Sequence, residues 1–458
     1  MTPPVSKDNI SALASKYQSI LPIELIRSLA KASNFIRRQR VLTGDAFAKM
    51  CILGGESSGK SISLPQLCTK GVMLGAKMST SSLNERFTPA SEYFMKSVFE
   101  RVLHFNLSSD LDLKTLEGFS AVQVQDSTGW QLPAALKARF AGYGGGASES
   151  GIKIDLRMDL KRGSCEMDIR SAVKNDSTAL MGGISVGSLW LRDLGYFKIE
   201  SLREIDRETA FFISRLKCST HIYEYEDSIQ IIDLKEFTNK LKVNQVKEQW
   251  VYIGKEEQFR VRLIIQKLPD TVANERKKAL KASMKDKGKC LTKDRLAWCE
   301  FNVFITNLDE KKYPGQLVMN LYTIRWTIEI VFKIWKSVHK IHQVNSTNEH
   351  RFMCQLYGKL IWILLHQKLF SWVKAHFWNE YHIDLSEMKG FKILQELKAS
   401  LQIAIISNEV LLFEKFIELF VEIAPIVGKK QVRRRRRNQF LFPSESLIYD
   451  PENQQFSA

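Results

Sequence analysis

Two aspartates follow directly on predicted β-strands, a position suited to holding ligands or metal ions. Phe119–Gln125 alternates apolar and polar residues as a strand does, and Asp126 comes next. Ser188–Arg192 is a second candidate strand, and it runs into Asp193. In mixed α/β sheets, ligands bind at the carboxyl ends of the strands. We therefore treat both carboxylates as candidates for the chemistry of this protein.

A second group of polar side chains lies in the segment Leu321–Lys336, which the apolar spacing predicts to be one helix. At about 100° per residue, four of them fall within an arc of roughly 60°, namely Tyr322, Arg325, Glu329 and Lys336. Lys340, four residues further on, falls in the same arc. Most of the remaining surface of this helix is apolar, so we expect the helix to be substantially buried. A charged stripe is usually a solvated face, but a narrow stripe on a helix of this kind favours the lining of a cleft.

The spacing Y-(2)-R-(3)-E-(6)-K of Tyr322, Arg325, Glu329 and Lys336 resembles the signature of DDE transposases of bacterial insertion sequences, in the insertion-sequence-four-like group. Asp126-Ser-Thr resembles the first acidic motif of that family, and the segment 191–197 around Asp193 resembles the second. The strand-rich block between Asp193 and Glu329 is similar to the β insertion of these enzymes. The resemblance covers at least residues 120–340.

The resemblance implies a cut-and-paste DNA transposase with a mixed α/β fold, in which a ribonuclease-H-like core carries the β insertion. It implies that Asp126, Asp193 and Glu329 hold two Mg²⁺ ions, for which Mn²⁺ can substitute, because such hard ions prefer oxygen ligands. The ions would support cleavage and strand transfer by in-line displacement. The expected partners are double-stranded DNA, as terminal inverted repeats and as target, and a second copy of the chain in a homodimer.

The resemblance also implies contacts with DNA. Arg325 and Lys336 would bind the phosphates that flank the cut, and Tyr322 would contact the DNA end. We add Lys333 and Lys340 as further phosphate contacts.

A further candidate DNA contact is a tryptophan. Relatives that form a DNA hairpin flip a base onto a Trp, which lies on the strand that leads to a Thr like Thr306. This chain has Asn302 at that place and Trp298 four residues earlier. We name Trp298 as a candidate contact, with a packed core aromatic as the alternative. The hairpin pathway stays open.

A glycine-rich motif offers a competing interpretation. The segment 54–61 matches the pattern of a phosphate-binding P-loop, G-x-x-x-x-G-K-[ST]. A real P-loop follows a strand, whereas the preceding segment 45–53 fits a helix at least as well. We predict a turn between helices and no nucleotide.

An alternative for the whole protein is a catalytically inactive, DNA-binding relative of a transposase.

Other polar residues have structural explanations as well as functional ones. We expect Asp155, Asp159 and Asp168 to be structural or solvated. His339 and His342 follow the predicted helix and could touch DNA, although exposed histidines on helices are common.

Composition is consistent with a soluble DNA-binding protein. The chain has 458 residues, of which 44% are hydrophobic and 26% charged, and its formal net charge of +17 suits a polyanionic partner. The seven cysteines are scattered and form no CxxC pair, which predicts neither a zinc site nor a disulfide framework. We find no signal peptide and no membrane-spanning run, and expect a cytoplasmic, nucleoid-associated bacterial protein.

The elements that would position these residues group into three predicted domains. Residues 1–110 form a helical DNA-binding region, with a possible helix-turn-helix at Leu64–Phe87. Residues 111–372 form the catalytic domain, with the β insertion at about 209–310. Residues 373–458 form a helical region that ends in a basic tail. The apolar helices at 352–373 and 410–427 are either a dimer contact or core.

Overall fold

The computed structural model describes residues 5–38, 41–55, 62–105, 116–145, 148–173, 183–255, 258–286, 288, 290–344 and 346–430. Its helices are α1 Lys7–Gln18, α2 Ile23–Ala32, α3 Gly44–Gly54, α4 Leu64–Met73, α5 Thr80–Asn84, α6 Pro89–His104, α7 Ile199–Arg207, α8 Leu234–Thr238, α9 Asp270–Asp286, α10 Lys293–Trp298, α11 Gly315–Thr323, α12 Trp326–Ser337, α13 Glu349–Tyr381, α14 Glu387–Glu396, α15 Lys398–Ser407 and α16 Val410–Val427. Its strands are β1 Val122–Gln131, β2 Gly151–Asp159, β3 Cys165–Ser171, β4 Leu189–Arg192, β5 Phe211–Arg215, β6 Ile222–Tyr223, β7 Val246–Ile253, β8 Phe259–Lys267 and β9 Phe301–Thr306.

The strands form one mixed sheet in the order β3-β2-β1-β4-β5-β9-β8-β7-β6. β4 runs parallel to both β1 and β5. β2 pairs antiparallel with β3, and the strands from β5 through β9, β8 and β7 to β6 pair antiparallel in turn. The mixed α/β class expected from the sequence is confirmed.

The described residues cluster into two compact units. The first comprises those within Met1–Leu113, Ser127–Asn175 and Thr327–Phe442, and the second those within Lys114–Asp126 and Asp176–Trp326.

Helices dominate the first unit. Local signals begin them where the sequence suggests: Ser63 and Thr88 each form a capping box, and a proline stands in the first turn of α4 and of α6. α13 is 33 residues long and nearly all of its middle is buried. At Gly358 it meets α3 so closely that a Cβ would lie 2.3 Å from the Cys51 carbonyl oxygen, so only glycine fits there.

A continuous apolar core organises the second unit. Inward-facing residues of the strands, such as Phe212, Ile253 and Leu263, pack with Leu202 and Ile205 of α7. The strand-rich block between Asp193 and Glu329 therefore contributes most of this core, through apolar residues that alternate along its strands.

Three expected elements differ in the structure. β1 does not end before Asp126 but continues to Gln131, beside β2 in the sheet. The enrichment of 228–234 in β-branched residues predicts a further strand, and this prediction is wrong, since residues 228–233 are irregular and lead into α8. The helix predicted over 321–336 is two helices, α11 and α12, separated at Ile324 and Arg325.

The break between α11 and α12 has a local cause. The amides of Ile324 and Arg325 donate to carbonyls three residues back, at 3.1 Å each, which is the tighter winding of a helix that is ending. Thr323 and Ile324 are both β-branched, and such side chains crowd the preceding turn of a helix.

Among the residues described, no helix is long and apolar enough to cross a membrane. The basic run 433–437 lies outside the described residues.

Candidate active site

Pairing of β1 with β4 places the two aspartates at matching positions. The last registered pair is Val124 with Leu191, and Asp126 and Asp193 each lie two residues further along their parallel chains. The backbone at Asp193 is still extended, with φ −81° and ψ 164°. Because residues two apart on extended backbone face the same side, both carboxylates project from one face of the sheet.

Arg192 fixes the end of β4 from the other side. Its buried guanidinium donates to the Gln125 side chain at 3.1 Å and to the Tyr196 carbonyl at 3.2 Å. Burial lowers the pKa of Arg192 to about 10. Arg192 was not singled out in the sequence, although its place between a predicted strand and Asp193 was visible.

Two residues of the signature meet Asp193. The Tyr322 hydroxyl donates to Asp193 Oδ1 at 3.4 Å, and an Arg325 guanidinium nitrogen lies 3.9 Å from the same oxygen. Tyr322 and Arg325 are both about 5% exposed, whereas the Asp193 side chain is 37% exposed. Burial raises the pKa of the Tyr322 phenol, which therefore keeps its proton and acts as a donor.

The rest of the signature lies on α12. Glu329 is half-buried in its first turn, and Lys336 in its last turn donates to the Gly129 carbonyl on β1 at 3.2 Å. Lys333 is exposed.

The five polar residues do not lie on one continuous helix, as the sequence predicted. Tyr322 lies on α11, and Arg325 in the break before α12. Lys340 is beyond the end of α12 and has left-handed backbone, with φ 52° and ψ 40°.

Trp326 is a candidate site residue that the sequence analysis missed. Its side chain is 56% exposed, which makes it the most exposed of the nine tryptophans, all of which lie within the described ranges. The Arg325 guanidinium lies 5.6 Å from its ring and 5.5 Å from that of Tyr322. Its position inside the signature, directly after Arg325, was the available signal.

Trp298 lies apart from these contacts. It ends α10, is half-buried, and packs against the core cluster of the second unit. It also lines a cavity of about 390 Å³, together with Cys218 and His221. Asn302 accepts a hydrogen bond from Arg276 at 2.9 Å and donates to Gln266 at 3.1 Å.

The two histidines that follow α12 differ in their exposure to solvent. His339 is buried, at 2% exposure, so it cannot touch DNA on the surface as the sequence suggested. His342 is exposed.

The other acidic residues are arranged structurally. Asp155 is fully buried and ion-paired to Arg170, and Asp159 accepts from two backbone amides in the turn that follows it. Asp168 is exposed.

The P-loop interpretation loses its structural context. Residues 56–61 lie outside the described part, but the segment before them is the buried helix α3 and not a strand. A phosphate-binding P-loop requires a strand in that place.

Carboxylates are the ligands that hard divalent ions prefer, and the aligned Asp126 and Asp193 supply two such side chains. Within the described ranges, no group of three or more His, Cys, Asp or Glu side chains lies close enough to hold a metal ion. The described geometry therefore brings two of the three predicted ligands to one face and leaves the third a prediction.

Known proteins share sequence with most of this chain. The family model of the transposase DDE domain matches residues 117–365. The transposase of insertion sequence element IS231F from Bacillus thuringiensis subsp. israelensis is 31% identical over 416 residues, which are 85% of this chain and 86% of that protein. The transposase of IS1151 from Clostridium perfringens is 32% identical over 419 residues, 87% and 88%. The transposase of IS231B from Bacillus thuringiensis subsp. berliner is 29% identical over 466 residues, 97% of each.

Proposed function

The chain belongs to the DDE transposase family of insertion sequences, and from that premise we propose that Asp126, Asp193 and Glu329 are the residues with which it cuts and joins DNA. It is a DNA transposase, an enzyme of strand cleavage and strand transfer that works with divalent metal ions. The alternative of an inactive relative is not favoured. The observation that carries the residue assignment is the alignment of Asp126 and Asp193 on adjacent parallel strands.

The metal we propose is Mg²⁺, with Mn²⁺ able to replace it. Two bound ions would activate the attacking water or 3′-hydroxyl and stabilise the leaving oxygen. The protein groups around Asp193 support this role, because the Tyr322 hydroxyl and the Arg325 guanidinium both contact its carboxylate and orient it. Asp193 is at the same time exposed enough to reach a ligand.

We propose a ribonuclease-H-like core for β1 to β5. Its support is the strand order β3-β2-β1-β4-β5, with an antiparallel β2–β3 pair followed by the parallel strands β4 and β5. On this proposal the inserted block is β6 to β9, which begins after β5 ends at Arg215 and is therefore shorter at its start than the 209–310 expected from the sequence. The helical residues 1–110 would be the DNA-binding region, 111–372 the catalytic domain and 373–458 the C-terminal region.

The DNA would be bound by residues on and next to α12. Lys336 and Lys333 would contact phosphates. Arg325 and Tyr322 would contact the DNA end and also hold Asp193. Lys340 and Trp298 are further proposed contacts. Lys340 lies off the helix, and Trp298 packs against a core.

The working assembly we propose is a homodimer that pairs two transposon ends in the bacterial cytoplasm, at the nucleoid. Apolar side chains left exposed on α16 support a protein contact there: Leu411, Leu419, Ile426 and Val427.

A plasmid cleavage assay tests the residue assignment. The full chain is incubated with a plasmid that carries its gene and flanking DNA, with Mg²⁺ or Mn²⁺ and without ATP. We expect breaks at both flanks for the wild type, and cleavage at the level of buffer alone for Asp193→Asn and Glu329→Gln. Affinity for the same DNA should be retained in both variants, because the substitutions remove charge without removing a DNA contact.

The matched control is Asp168→Asn, which removes an exposed carboxylate on β3 and should cleave like the wild type. Cleavage that survives in Glu329→Gln would overturn its assignment as a ligand.

A further inference from the structure

α9 presents a row of lysines to solvent. Lys278, Lys281 and Lys285 are all exposed. At about 100° per residue they fall within an arc of roughly 60°, and at 1.5 Å per residue the row is about 10 Å long. We call these three residues the α9 lysine row.

The other basic residues of α9 hold the helix in place. Arg276 donates to the Phe301 carbonyl at 3.3 Å and to the Asn302 side chain at 2.9 Å, and Lys277 pairs with Glu300 at 2.6 Å. These contacts attach α9 to the start of β9. The basic residues of this helix therefore separate into a pair that anchors it and a row that is left outward.

Packing alone gives little reason for this helix. Of its 17 residues only Ala273 and Met284 are buried. Near the end of α9 the Met284 sulfur accepts from Arg295 of α10 at 3.7 Å. A helix that buries so little apolar surface gains little stability from packing. Its sequence is therefore constrained mainly by what its exposed face contacts.

Within the described residues, the lysines of the row make no ion pair with a carboxylate. Three unpaired ammonium groups in a row repel one another in the free protein, at a small cost in water. A linear polyanion relieves that cost and releases condensed counterions as it binds. Duplex DNA has this chemistry, with one charge per about 1.7 Å of helix axis.

We propose that the α9 lysine row is a docking surface for the phosphate backbone of duplex DNA, outside the signature residues of the site. The inference rests on the proposed function, since it takes DNA as the substrate. Lysines contact phosphates as mobile point charges, so this surface adds affinity and carries no base sequence. It lies on the helix that joins β8 to β9 in the second unit.

The test is the salt dependence of binding to a labelled random-sequence duplex several turns long. The full chain is compared with a variant in which Lys278, Lys281 and Lys285 are all changed to Gln. Three lost phosphate contacts should reduce the slope of log K against log salt by about 2.7. The corresponding triple Arg variant keeps the charges and should keep the slope.

A matched control removes the same charge elsewhere. Lys392 and Lys415 are exposed on α14 and α16, and Lys429 is exposed beyond them. Changing all three to Gln should leave the slope near that of the wild type, because charges beyond a Debye length of about 10 Å are screened. Circular dichroism checks that each variant is folded.

A folded α9 variant with the slope of the wild type, or a control variant with an equal loss, would overturn the inference. The latter result would mean that net charge alone sets binding. Failure of the proposed function is a separate result: a wild type that binds DNA but cuts neither flank in the plasmid assay.

Discussion

Asp193 owes its setting to two buried neighbours with different chemistry. The phenol of Tyr322 and the guanidinium of Arg325 both reach the same carboxylate oxygen, at 3.4 Å and 3.9 Å. A neutral donor and a cation that meet at one carboxylate oxygen together limit the rotation of that carboxylate. Arg325 therefore acts first as a positioning residue, and the spacing of the signature reflects that contact as well as any contact to DNA.

Trp326 is where a single residue should matter most for DNA binding. An exposed aromatic ring can stack on an unpaired base, which is worth about 1–3 kcal/mol, so Trp326→Ala should weaken binding to a frayed DNA end roughly 5- to 150-fold. Trp326→Phe should retain most of the affinity. Fluorescence anisotropy with a labelled end checks this.

The control for Trp326 is Tyr225→Ala, which removes another ring that is 68% exposed. Wild-type affinity in Trp326→Ala would show that the ring meets no base. Since the side chain is exposed, thermal stability should stay unchanged, which separates a binding effect from unfolding.

Elements were predictable from the sequence where one face is buried. Alternation found β1 and β4, and apolar spacing found the long buried α13 and α16. Periodicity could not locate the break at Ile324, because the spacing of the signature continues across it. It also failed for the segment 228–234, whose apolar residues include the almost fully exposed Ile229. Local pattern carries no information on which face finds a partner.

A buried ionic cluster joins α13, α14 and the loop between them. Lys374 pairs with Glu387 and lies 3.4 Å from Asp384, which also pairs with Lys430 at 2.8 Å. Burial by itself would raise the pKa of Glu387, but Lys374 and Lys430 outweigh it and lower the pKa to about 2. The cluster ties the end of the described chain to this loop.

Removing one member of that cluster should be costly. Lys374→Met leaves Glu387 buried without its nearest cation, so we expect a loss of about 3–5 kcal/mol in the free energy of unfolding. Adding Glu387→Leu should recover most of it, since an apolar pair of similar volume is often neutral. Urea unfolding measures both variants.

Exposed Lys392 on α14 provides the control, and Lys392→Met should change the unfolding free energy by no more than about 0.5 kcal/mol. If Lys374→Met were equally harmless, the cluster would contribute nothing to stability.

For the molecule as a whole, charge and composition pointed to a DNA partner, and the family motifs named the chemistry. The convergence of Asp126 and Asp193 required the parallel register of β1 and β4, which only the fold supplies. The arrangement of α9 is similar: the sequence shows a basic helix, but not which of its residues anchor it and which face solvent. Pairing is a property of the folded chain, not of local spacing.

A buried histidine pair should set the acid limit of the fold. His339 and His366 lie with ring centroids 5.3 Å apart, and among the described residues neither ring has a hydrogen-bond partner. Burial, with Lys359 adding repulsion, lowers the pKa of His366 to about 3. Burial and the neighbouring His366 lower the pKa of His339 well below its usual range.

The sign of the resulting pH dependence follows from these pKa values. Below about pH 6.5 the unfolded chain takes up protons on both histidines while the folded chain does not, so stability falls with acidification. Each histidine should cost about 2 kcal/mol between pH 7 and pH 5, before Glu387 begins to titrate. Urea unfolding should therefore show a markedly flatter pH profile in the His339→Leu, His366→Leu double variant, whatever its stability at pH 7. Exposed His104→Leu should retain the wild-type profile. An unchanged slope in the double variant would mean that the rings gain protons without opening the fold.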